Sequence, residues 1–289
     1  MGIFDSSARA RAAALTTPPF LYALLLLAFP LVAIVLISFW TQSGIDLDMT
    51  FTGQNYQEIG AEPIYRALLG RSLYVSAVVT LATVLLAYPV AYFVSFHVQP
   101  SRKSLWLFLI TIPFWTSYLI RVFLWKVILG YNGVVNTALI QLGLIEEPLT
   151  FILYNLNSVI ITLAHTYVVF AILPIFVALE KIDRSLLEAS QDLGENRLTT
   201  FLRVTLPLSV PGIVGAVLIV FIPVIGDYVT PELMGGPNGR VMANMIQIQF
   251  LSLNNWPLGS ALALVTMLAV GVAALVFVLL NRRWLRGPG

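Results

Sequence analysis

The chain has 289 residues, 58% of them hydrophobic and only 10% charged, with a mean hydropathy of +0.88. That balance excludes an ordinary soluble surface and makes the lipid bilayer the solvent of the chain. The absence of cysteine excludes disulfides and thiolate chemistry. The net charge of +2 is too small to mark a nucleic-acid surface, so the basic residues read as topology signals.

In chain order, an Ala-rich stretch around Ala8 to Ala14 reads as a lead-in helix within an N-terminal segment, 1–19. A crossing helix needs about 20 mostly apolar residues to traverse roughly 30 Å of hydrocarbon. Uncharged windows of about that length lie over 20–40, 72–96, 104–120, 157–179, 212–229 and 257–280. The first runs too long for a signal peptide and lacks a small-residue cleavage site before Asp46, so it reads as a retained span. The prediction is an all-α polytopic membrane protein with six transmembrane helices, one membrane domain over 20–280 and a tail over 281–289. No internal repeat is visible.

Lysine and arginine favour cytoplasmic loops. With six spans, one side receives Arg9, Arg11, Arg102, Lys103, Lys181, Arg184, Arg197, Arg203, Arg282, Arg283 and Arg286. The other receives only Arg66, Arg71, Arg121, Lys126 and Arg240, together with Asp46, Asp48, Glu58, Glu62, Glu146 and Glu147. Both termini are therefore predicted to be cytoplasmic. Pro30, Pro89, Pro113, Pro174 and Pro223 place a kink-prone residue in each of the first five windows. In the fifth, Pro223, Gly226, Pro231, Gly235 and Gly236 crowd around Asp227 and Glu232. Broken backbone and carboxylates at membrane depth need a protein-lined or wet cavity, so this end is predicted to border a solute route.

The one strongly polar cytoplasmic loop, 180–207, has an internal order. Asp183 can cap a helix carrying Leu186, Ala189, Ser190 and Leu193 on one stripe, with Glu188 on the polar side. Gly194 ends that helix, because glycine reaches left-handed conformations without a side-chain penalty. A second helix from about Arg197 carries Leu198, Phe201, Leu202 and Thr205, and is expected to stop near Leu206 and Pro207.

Glu188-Ala189-Ser190, three residues, Gly194, nine residues, Val204, one residue, then Leu206-Pro207 resembles the EAA loop of importer-type ABC permeases. The departures from that family's pattern are Ser190 for Ala and Val204 for Ile. The resemblance implies a type I ABC importer permease arrangement, with Glu188, Ala189, Ser190, Asp192, Gly194, Leu206 and Pro207 coupling the chain to an ATPase. It also implies two ATP-binding subunits, a second permease of a different chain, and a periplasmic or extracellular solute-binding protein as partners in a bacterial inner membrane. ATP and magnesium would bind to the partners, leaving this chain with no cofactor, no metal and no catalytic residue. Consistent with that, the sequence has no G-x-x-x-x-G-K-[ST] phosphate loop.

The runs from Pro113 to Arg121 and from Gly226 to Pro237, with Asn255-Trp256-Pro257, are similar to segments of spermidine/putrescine-type permeases, specifically the first of their two permease subunits. The resemblance implies a polyamine or related organic cation as the transported solute. An ammonium group is held by carboxylates and aromatic faces, each cation–π contact contributing roughly 0.5 to 2 kcal/mol. Trp115, Tyr118, Asp227, Tyr228 and Glu232 are the candidate pathway residues. Tyr and Trp also gather at membrane interfaces, and Arg121 or Lys126 can neutralise the two acids or favour an anionic solute.

His97 and His165 fall in different windows and offer no metal or relay pattern. Asn254 and Asn255 are placed to cap the last span, and 240–253 reads either as a re-entrant gate helix or as a packed surface helix. A self-sufficient secondary transporter or channel is the rival reading; such proteins carry repeats and intramembrane coupling charges.

Overall fold

The computed structural model describes residues 6–44 and 46–285. Arg286 and the end of the tail lie outside the described residues, as do the side chains of Arg9 and Arg11. The chain packs as two compact units, residues 1–63 with 246–265 and residues 64–245 with 266–289.

The first unit opens with α1 (Ser6–Ile37), whose crossing-length part, Ala14–Ile37, has mean hydropathy 2.9 and no buried residue. An all-round apolar helix with nothing packed inside it suits a lipid surround. The chain then forms a small antiparallel hairpin, β1 (Thr41–Ser43) with β2 (Asp46–Asp48), Thr41 opposite Asp48. Gly44, at φ +65, supplies the left-handed residue that reverses the chain there, and the rest of the fold is helical, as the all-α expectation has it. Helix α2 (Gln54–Ala61) is tied back by Asn55, whose Nδ2 donates to the carbonyls of Ser38 (2.9 Å) and Trp40 (2.8 Å).

The second unit begins with α3 (Pro63–Phe96), followed by α4 (Pro100–Thr111), a 3-10 turn at Ile112–Trp115, and α5 (Tyr118–Ile128). The α4 segment and α5 meet at 83°, so the window over 104–120 is a bent pair of helices and not the single helix expected. Pro113 brings no N–H to the turn, and Thr116 turns extended at φ −80, ψ 149 while its hydroxyl donates to the Pro113 carbonyl at 2.7 Å. Helix α6 (Val134–Gln141) leads to α7 (Leu156–Glu180), which Asn155 and Ser158 start with a reciprocal capping box.

Helices α8 (Arg184–Asp192) and α9 (Arg197–Thr200) come next, then a π-turn at Phe201–Thr205 and α10 (Leu206–Ile225). The expected stop at Leu206-Pro207 does not occur, since Arg197–Ile225 is one crossing-length helical run. Pro207 falls in the first turn of α10, where a missing N–H costs least, and the wide turn before it absorbs the ring. Beyond α10 lie the short α11 (Val229–Met234) and α12 (Met242–Gln247), then α13 (Trp256–Leu285). Asn255 caps α13 by accepting from the Leu258 N–H at 3.2 Å, whereas Asn254 serves as a left-handed residue at φ +49. Counting the bent pair as one, the described residues hold up to six segments long and apolar enough to cross a membrane.

The buried core joins α3, α5, α7 and α10 through Val79, Val122, Leu163, Ile175 and Val220. Gly212 lets α10 approach α7 closely: a Cβ there would meet the Pro174 carbonyl at 2.6 Å and Ile175 Cα at 3.1 Å. Small residues at such a crossing let two membrane helices pack backbone to backbone. Gly212→Leu should therefore lower thermal stability by about 1–3 kcal/mol, as overpacking does, read as a shift in the unfolding midpoint of the purified protein. An unshifted midpoint would refute this account of the contact.

Candidate functional site

The polar loop folds as its residues dictate. The carboxylate of Asp183 accepts the Ser185 N–H at 3.0 Å and opens α8, and that bond holds its carboxyl below the usual carboxylate range. At the other end Gly194 sits at φ +85. Its N–H donates to the Gln191 carbonyl (2.8 Å) and the Glu195 N–H to the Ser190 carbonyl (3.2 Å), the two bonds of a Schellman stop. Asn196 then caps α9 through the Thr199 N–H at 2.9 Å. Ser190, one of the departures from the family pattern, adds a contact that alanine cannot make: its hydroxyl meets that of Thr200 at 3.0 Å and closes α8 onto α9. Glu188, Ala189, Asp192, Leu193 and Gly194 are left exposed, Leu193 at 85%.

A charged cluster fixes the base of this loop. Glu180 accepts from Lys103 (2.7 Å), from the Ser95 hydroxyl (2.6 Å) and from Arg184 (3.3 Å). Arg184 also donates to the Ser95 carbonyl at 3.1 Å and lies 3.8 Å from the Phe96 ring centroid. The ends of α3 and α7 and the starts of α4 and α8 therefore meet at one carboxylate. The sequence reading missed this cluster, because its members are separated in the chain and only packing unites them.

At the far end of α10 the chain breaks at Gly226, and Asp227, 9% exposed, turns its carboxylate back on α11. Oδ1 accepts the N–H groups of Val229 (2.9 Å) and Thr230 (3.1 Å), while Oδ2 accepts the Thr230 hydroxyl (3.1 Å) and the phenol of Tyr118. Beside it opens a cavity of about 250 Å³ lined by Tyr118, Tyr167, Pro223, Gly226, Asp227, Tyr228 and Val229. No lysine or arginine lines it.

The structure thus brings together Tyr118, Asp227 and Tyr228 of the predicted pathway set. Trp115 and Glu232 do not line this cavity. Trp115 is 72% exposed and packs edge-on against Phe108, and Glu232 accepts from Asn244 at 3.2 Å. Asp227 is bound to neutral donors; Arg121 instead lies over the Phe114 ring at 4.5 Å and Lys126 over Tyr154 at 5.7 Å. The ion pairs Lys103–Glu180, Arg184–Glu180 and Arg203–Glu195 lie at the polar loop and its base. Tyr167 and Thr230 were missed. Thr230, three residues after Asp227, was legible as a capping partner, whereas Tyr167 stands in an apolar helix with no local signal.

Residues 12–286 match the family model described as a binding-protein-dependent transport system inner membrane component. The spermidine/putrescine transport system permease protein PotB of Haemophilus influenzae is 38% identical over 261 residues, 88% of this chain and 90% of that protein. Among solved structures, a bacterial ABC transporter that imports the acidic polysaccharide alginate superposes with TM-score 0.75 at 18% identity, over 94% of this chain and 95% of the other. The same transporter type bound to a pentasaccharide-loaded periplasmic protein gives 0.72 at 18% identity, covering 94% of each chain. With the polar loop, the apolar spans and the broken α10–α11 end, these likenesses agree on one family. The chain belongs to the binding-protein-dependent transport system inner membrane components, the permease subunits of ABC importers.

Proposed function

We propose that this permease passes a polyamine such as spermidine or putrescine, or a related organic cation, across the inner membrane. The observation that carries the reading is the open cavity holding the Asp227 carboxylate among the rings of Tyr118, Tyr167 and Tyr228, with no cationic side chain in its lining. A carboxylate framed by aromatic faces attracts an ammonium group and repels an anion. The name of the Haemophilus relative points to the same solutes.

In this reading α8 and the Gly194 turn form the coupling helix. Its exposed Glu188, Asp192 and Leu193 dock on an ATP-binding subunit, two of which bind ATP and magnesium, while Leu206 and Pro207 carry the motion into α10. A second permease chain and a periplasmic solute-binding protein complete the importer. Both termini face the cytoplasm in this reading, which the lysine and arginine bias supports. The test is ATPase activity of the importer reconstituted with its cognate binding protein. Spermidine or putrescine should stimulate it several-fold, and an anionic solute of similar length such as glutarate should not. Stimulation by glutarate alone would overturn the cationic reading.

A further inference from the structure

Resting on the cationic reading, we infer that the Tyr118 hydroxyl is a latch on Asp227: it occupies the carboxylate in this state and must be displaced before an ammonium group can bind there. Tyr118 then sets how readily the cavity loads.

The inference follows from counting protons and acceptors. A carboxylate offers about four lone-pair sites on two oxygens. At Asp227, Oδ1 is taken by two backbone N–H groups that α11 cannot release without unwinding its first turn. Only Oδ2 can change partners. It accepts Tyr118 and, at 3.1 Å, Thr230, whose hydroxyl lies also 2.6 Å from that of Tyr118. Two hydroxyl protons are shared among three oxygens, with the Asp227 oxygen at the accepting end.

An incoming ammonium has only donors to offer and needs that same oxygen. Tyr118 is the partner able to yield. It stands in the first turn of α5, directly after the extended break at Thr116 and Ser117, and its ring already lines the cavity. A small swing of the phenol would free Oδ2 and leave the ring face against the entering cation. Thr230 is fully buried and fixed in the first turn of the short helix that the carboxylate caps, so it moves only with it.

The test is direct binding of radiolabelled spermidine to the assembled importer in lipid nanodiscs, without binding protein. Tyr118→Phe keeps the aromatic wall and removes the competing hydroxyl. It should tighten spermidine binding about tenfold, the worth of one hydrogen bond to a charged group. In the Tyr118→Phe, Asp227→Asn double variant the gain should vanish. Tyr88→Phe, which removes a phenol bonded to Ser209 at 2.9 Å far along α3, should leave binding unchanged. Thr230→Ser keeps a hydroxyl but loosens it, and should gain less than Tyr118→Phe. Unchanged or weaker binding by a stable Tyr118→Phe complex would overturn the latch while the cationic reading survives, provided Asp227→Asn still abolishes binding. Spermidine binding that ignores Asp227→Asn would overturn both.

Discussion

Gly194→Val should leave the protein inserted in the membrane and abolish solute-stimulated transport. Gly194 holds φ +85, and a side chain added there meets nothing within 4 Å, so the penalty is backbone strain and not crowding. A left-handed β-branched residue costs roughly 1–3 kcal/mol. The cheaper outcome for the chain is to abandon the Gly194–Gln191 and Glu195–Ser190 bonds, which swings α8 away from α9 and breaks the Ser190–Thr200 contact. Because Glu188, Asp192 and Leu193 are presented only through that geometry, ATPase association should fail while the spans stay folded. Asparagine tolerates the left-handed region, so Gly194→Asn should retain most transport. Uptake into proteoliposomes and co-purification of the ATPase measure both variants. Full transport by Gly194→Val would remove the coupling role from this loop.

The contrast between the loop and the outer cavity shows what the sequence makes legible. Asp183, Gly194 and Asn196 act through backbone bonds to residues two or three positions away, so their spacing carries the structure directly. The crossing windows were legible for the same reason: apolar length is a local property. Where tertiary packing decides, the reading failed. Pro113 and Pro207 look alike as breakers, yet only the first sits at a break, because Thr116 turns extended beside it while Pro207 falls in the first turn of a continuing helix. Tyr167 and Glu180 acquire their roles from partners tens of residues away, Tyr118 and Asp227 for one, Ser95 and Lys103 for the other. Arg121 was offered as a counter-ion because it is near in sequence to the outer end; its guanidinium is instead over Phe114, with Nε and Nη1 lacking a hydrogen-bond partner.

That placement sharpens what a substitution at Asp227 reports. The residue does two jobs, starting α11 through Oδ1 and presenting negative charge to the cavity, and the two can be separated chemically. Asn keeps an oxygen to accept the Val229 and Thr230 N–H groups, removes the charge, and turns Oδ2 into an amide donor that the rotatable Tyr118 and Thr230 hydroxyls can accept, so Asp227→Asn should retain the fold. Uptake should fall by about one to two decades, from losing a charge-assisted contact of roughly 1.5 to 3 kcal/mol. Asp227→Ala removes the cap as well and should lower the unfolding midpoint, by the roughly 0.5–2 kcal/mol that a lost cap costs. If the residue served instead as the partner of Arg121, both variants would be equally unstable, and adding Arg121→Gln would restore transport to Asp227→Asn. The binding protein's own affinity for solute should stay unchanged throughout, since it belongs to another chain. Uptake and thermal unfolding of the two single variants and the Arg121→Gln, Asp227→Asn double variant decide between these accounts, and undiminished uptake by a stable Asp227→Asn protein would remove Asp227 from the solute route.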